Sequence, residues 1–217
     1  MKKLFLLWPL FFLFSCATLP AIHPDSSPLR KPSFACPSPY LKEKSRLVHT
    51  IEIRAAGQTR NVVMGVTLVD PVFRSISCAV MTAEGLVLFE AESTPEALNV
   101  IRALPPFDAG QFAQNMVDDI KLIFLEPEGR MQAKGYLSSG ERVCRYPGAN
   151  GSRIDVIEND SLKNEIKLYA SSGALKRHIL LDQSGKDVYR HIELSASETF
   201  DYKLVMTLVE VQPIDPD

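Results

Sequence analysis

The side chains of this 217-residue chain that could do chemistry are four cysteines, four histidines and the adjacent pair Asp118-Asp119. None of them stands in a pattern that an enzyme needs. There is no Gly-x-Ser-x-Gly, no His-Glu-x-x-His and no glycine-rich phosphate loop. A two-residue turn at Ser184-Gly185 would set His178 opposite His191 on a polar face. Without a third ligand that pair reads as solvated histidines and not as a metal centre. His49 alternates with Ile51 and Ile53, which makes it a core histidine. Asp118-Asp119 lacks a partner carboxylate and reads as a solvated helix face. No catalytic residue, metal ligand or cofactor is assigned.

The cysteine with the clearest context is Cys16. Lys2 and Lys3 precede an eleven-residue apolar run, Leu4 to Phe14, that is too short to span a bilayer core of roughly 20 helical residues. It ends in Leu13-Phe14-Ser15-Cys16, which resembles the lipobox of bacterial lipoprotein signals. The resemblance implies cleavage after Ser15 and lipidation of Cys16. With Ala17 rather than an acid next to it, the implied destination is the periplasmic face of the outer membrane. Several acyl chains hold a protein durably where one binds marginally.

Residues 16–39 carry Pro20, Pro24, Pro28, Pro32, Pro37 and Pro39 and read as an extended tether. Residues 40–217 form one domain. The net charge of −2 and the absence of a basic run give no case for nucleic acid. Beyond Cys16, the odd number Cys36, Cys78 and Cys144 allows one disulfide at most, and the sequence leaves the pairing open. Cys78, in phase with Ile76 and Val80, reads as a small core residue, and Cys36 could staple the tether to the domain.

From Leu47 the pattern has period two. With a turn at Gly57-Gln58, the faces Leu47, His49, Ile51, Ile53 and Val62, Met64, Val66, Leu68 coincide. Strands at 73–81 and 86–93 complete a four-stranded meander. Thr94-Pro95-Glu96 predicts a short helix to Ala103, stopped by Leu104-Pro105-Pro106. Asp108 with Gln111 resembles a capping box for an amphipathic helix carrying Phe112, Met116, Val117, Ile120, Ile123 and Phe124 on one face. Six further strands are predicted near 139–146, 152–158, 164–170, 175–182, 187–194 and 200–210. The expected fold is mainly β (α+β): a half-open antiparallel barrel with two helices over its concave face.

This layout resembles the LolA/LolB-type fold. Val63-Met64-Gly65-Val66, Met81-Thr82-Ala83-Glu84-Gly85-Leu86-Val87-Leu88-Phe89 and Met116-Val117-Asp118-Asp119-Ile120-Lys121-Leu122 look like an uncharacterised proteobacterial outer-membrane lipoprotein family of that architecture. The resemblance implies an apolar cavity for an acyl chain or lipidated cargo, lined by Ile51, Ile53, Val62, Met64, Val66, Cys78, Phe112, Met116 and Ile120. It also implies a membrane-facing turn between the third and fourth strands. Glu84 stands there where LolB-like proteins carry leucine, and a carboxylate opposes lipid insertion. The expectation is a non-enzymatic, lipid-anchored monomer that binds acyl chains. The competing reading is an interaction lipoprotein with a filled core.

Overall fold

The computed structural model describes residues 19–24, 34–55, 58–160, 163–182, 188–197 and 201–214. Cys16, half of the proposed tether (16–18 and 25–33) and Ser184-Gly185 lie outside them. Alternating apolar residues form twelve strands, and all pair antiparallel in one sheet. In chain order they are β1 (Ser45–Ala55), β2 (Gln58–Asp70), β3 (Ser75–Met81), β4 (Val87–Ser93), β5 (Leu98–Ala103), β6 (Ala133–Tyr136), β7 (Arg142–Pro147), β8 (Arg153–Asp160), β9 (Lys163–Tyr169), β10 (Leu175–Asp182), β11 (His191–Ala196) and β12 (Tyr202–Pro213). The spatial order is β5-β4-β3-β2-β1-β12-β11-β10-β9-β8-β7-β6, so β5 and β6 are the two edges of an open sheet. One α-helix among the described residues, α1 (Phe112–Phe124), lies on the concave face between β5 and β6 in sequence.

The core fills the concave side. Leu47, Val69, Phe89, Ile166, Ile179, Leu181, Ile192 and Leu194 are almost fully buried there with Val117, Ile123 and Phe124 of α1. Phe107 and Phe112 meet edge to face at 5.1 Å, and both approach Phe89, so three rings seat the start of the helix. On the convex side, residues 19–24 lie against the β6 end. His23 exchanges backbone hydrogen bonds with Tyr136. The contact needs Gly135, because a Cβ there would collide with the His23 carbonyl oxygen. A disulfide joins Cys36 to Cys144, and Cys78 is a buried free thiol.

Three expectations need correction. The segment predicted as a helix from Thr94 is a turn followed by strand β5. The Thr94 hydroxyl accepts from the Glu96 and Ala97 N–H groups, so a capping residue followed by proline closes a tight turn here. Only one of the two expected helices forms, and it begins at Phe112 rather than behind Asp108. Gly110 is left-handed (φ 44°), which breaks the helix before that point.

The second correction concerns β2. Ala55 pairs with Gln58, and a bulge then sets Ile53 opposite Asn61 and Ile51 opposite Val63. This is one residue off the register expected from Gly57-Gln58, and a one-residue slip turns every side chain over. Val62, Met64 and Val66 therefore face the convex side with Glu52, Thr50 and Val48. The third correction is to the β10–β11 hairpin, where Asp182 pairs with His191 and His178 with Ser195. The loop is longer than two residues, and the histidines are not opposite each other.

His49 is buried against the Phe124 ring, and its Nε2 has no hydrogen-bond partner. Burial lowers its pKa from 6.5 to about 4, so the folded state holds it neutral. The unfolded chain binds the extra proton between those two values, and stability is therefore lost as pH falls from about 6.5 toward 4. Thermal melts at stepped pH should show this loss, worth about 3 kcal/mol at full extent, with His49→Leu flattening the slope.

Candidate functional site

A cleft of about 690 Å³ opens between the outer flank of α1 and the concave side of β7–β10. Its apolar floor is made by Leu122 and Leu125 from the end of the helix and by Ile154 and Leu168 from β8 and β9. Pro95, Pro127 and Pro147 add apolar walls without donors. The rim is polar, with Arg74, Lys121, Lys176, Asp118 and Glu128. Oily floor and charged rim together suit a long apolar chain with a polar end.

A buried ion pair stands in one wall. Asp119 Oδ1 accepts from Arg177 Nε at 2.7 Å, and Oδ2 accepts from the Tyr202 hydroxyl at 2.8 Å. Arg177 projects from β10 and Tyr202 from β12, so the carboxylate ties the helix to two strands. Burial pushes the Asp119 carboxyl above its ordinary range, against the pull of Arg177 and the two hydrogen bonds. The reading of Asp119 as a solvated residue is corrected. The helix has too short a polar face to keep both aspartates in water once its flank meets β10, and only Asp118 stays exposed.

Of the residues expected to line a cavity, none lines this cleft. Ile51 and Ile53 sit on the concave face, half-buried against the core, and Cys78 is buried among it. Phe112, Met116 and Ile120 pack on the same core from the helix. Val62 is exposed on the convex face, and Val66 borders a shallow convex groove of about 290 Å³ with Lys44, Arg46 and Leu68. Glu84 is fully exposed in the β3–β4 turn, its pKa lowered by the Thr82 hydroxyl. The missed residues left a weak trace. Leu122 and Leu125 form an apolar flank beside the main stripe of α1, and Ile154 and Leu168 alternate in their strands.

Among the described residues no three His, Cys, Asp or Glu side chains converge as metal ligands, and no helix is long and apolar enough to cross a membrane. His178 Nε2 meets Glu165 at 2.9 Å, and His191 Nε2 meets Glu193 at 3.3 Å. Each is a surface pair with its own acid.

No protein-family model matches the chain, and no curated protein matches it. Among solved structures, the crystal structure of the LolA superfamily protein NE2245 from Nitrosomonas europaea superposes with a TM-score of 0.51 at 12% identity. The match covers 81% of this chain and 88% of that one. The fold is LolA-like. In this LolA-like sheet α1 lies on the concave face, and the cleft opens along its flank.

Asp119→Ala removes the carboxylate that faces Arg177 and Tyr202, and it should destabilise the domain by about 3 kcal/mol in urea unfolding. Asp118→Ala, one position away on the exposed side, should leave the midpoint within about 0.5 kcal/mol of the parent.

Proposed function

We propose that this protein is a non-enzymatic lipoprotein of the cell envelope, anchored through Cys16, that shelters an acyl chain or the lipid of a lipidated cargo in the cleft beside α1. The observation that carries the reading is the cleft itself: an apolar floor of Leu122, Leu125, Ile154 and Leu168 inside a charged rim, in a LolA-like sheet. Each Å² of chain removed from water there contributes about 25 cal/mol. Lys121 and Lys176 at the rim suit the polar end of an amphiphile, whereas the floor has no group to bind one. The resemblance of Leu13-Phe14-Ser15-Cys16 to a lipobox supports the anchor and the outer membrane as its place.

A second reading, an interaction lipoprotein that acts through its surface, is favoured by one observation. The concave face under the helix is packed, with Leu47, Phe89, Ile166 and Leu194 at zero exposure. Under this reading the cleft is a surface feature and takes no lipid.

Native mass spectrometry of the Cys16→Ser chain with added palmitate separates the two. The cleft reading expects a one-to-one adduct that Leu168→Asp abolishes while the domain stays folded. Met116→Ala should keep the adduct, because Met116 packs on the core and not in the cleft. Absence of any adduct, or an adduct indifferent to Leu168→Asp, contradicts the cleft reading.

A further inference from the structure

The two most exposed large apolar side chains on the described surface are neighbours. Val72 is 77% and Phe73 73% exposed, both at the tip of the β2–β3 turn. The tip is rigidly built. Asp70 Oδ1 accepts from the N–H groups of Val72 and Phe73, both at 3.0 Å. Arg74 then takes a left-handed conformation (φ 51°) and is fixed at the far side by Glu128 at 2.7 Å and by the Glu126 carbonyl at 3.0 Å. A flexible loop would fold such residues onto the protein, but this turn holds them outward.

Close contacts place the tip on one rim with the point where the described chain begins. Arg74 meets Glu128, next to Gly129, and a Cβ at Gly129 would stand 2.9 Å from Pro147 Cγ. The β7–β8 turn follows, and Gly151 in it faces Ser171 of the β9–β10 turn. In that same turn Gly173 approaches the Leu19 backbone nitrogen, to within 3.1 Å of its Cβ position. The cleft opens along this row, bordered by Arg74, Glu128, Pro147, Gly148, Ala149 and Ser152. Leu19 is three residues after Cys16 in the sequence, a reach of about 10 Å. A lipid surface that holds Cys16 therefore lies close to this rim.

Three ion pairs stand beside the tip: Lys42 with Glu126, Lys44 with Asp70 and Arg74 with Glu128. Phenylalanine is among the side chains that bury at a bilayer interface.

We infer that Val72 and Phe73 insert into the lipid surface that holds the anchor, so that the mouth of the cleft faces the membrane. The inference rests on the anchor at Cys16 and not on what occupies the cleft. It excludes the orientation implied by the family resemblance, in which the β3–β4 turn of Glu84 and Leu86 faces the membrane. The two turns cap opposite ends of β3, about 23 Å apart.

The test uses the mature chain lipidated at Cys16, reconstituted in phosphatidylcholine–phosphatidylglycerol vesicles that contain brominated lipid. Cleavage after Ser15 leaves this chain without a tryptophan, because the single one in the sequence is Trp8. A reporter is then placed by Phe73→Trp or, separately, by Leu86→Trp. Flotation reports the anchor and bromine quenching reports the turn. The expected result is flotation of both variants, with loss of most of the emission at position 73 and little loss at position 86. Flotation with position 73 bright overturns the inference and leaves the anchor intact. Failure to float, with position 73 bright, overturns both.

Discussion

A sheet of twelve strands has far more apolar face than α1 can cover. At about 4.8 Å per strand it is some 55 Å wide, whereas the thirteen residues of α1 are about 20 Å long. The fold meets this constraint by curling the sheet so that inner residues of β1, β4 and β9–β11 close on one another and on Phe124. The helix takes the centre, and Leu122, itself buried, borders the cleft together with Ile154 of β8 and Leu168 of β9. The cleft is thus a consequence of incomplete cover, and its apolar floor joins Leu122 and Leu125 to Ile154 and Leu168 of the sheet beside the helix.

Each cover is pinned by a buried arginine. On the concave side Arg177 and Tyr202 hold α1 through Asp119. On the convex side Arg145 makes two hydrogen bonds to the fully buried Asp155, at 2.6 and 2.7 Å, and donates a third to the Pro20 carbonyl at 2.9 Å. A buried charge without its partner is far more costly than an exposed one, so these pairs fix where helix and N-terminal segment sit rather than adding much net stability. The Cys36–Cys144 bridge closes a 108-residue separation and fixes the chain leading into β1 in the same way. Pinning both covers keeps the cleft wall rigid while its far side stays open.

Period-two alternation made most of the strands legible, because half-buried strands must alternate whatever their partners. Phase and partner were less legible, for different physical reasons. Val62-Val63-Met64-Gly65-Val66 is apolar on both faces, so its alternation does not say which face is inside, and a single bulge at Arg60 decided it. In the β10–β11 hairpin the true register differs by four residues, an even number. The inner face of Ile179, Leu181, Ile192 and Leu194 was therefore read correctly while the pairing of His178 with His191 was not. Ser93-Thr94-Pro95 satisfies a helix start and a tight turn equally, and only the edge of β4 chose between them. The cleft was hidden because it is bounded by elements far apart in sequence, and because Asp119 disguised a buried flank as a polar one.

The central claim is that the cleft beside α1 holds an acyl chain. Photocrosslinking with a diazirine fatty acid, followed by peptide mapping of the labelled chain, tests it most directly. Labels concentrated on the peptides that carry Leu122, Leu125, Ile154 and Leu168, and displaced by excess palmitate, are the predicted result. Labels confined to the convex face around Val62 and Val66, or labelling that palmitate does not displace, would contradict it.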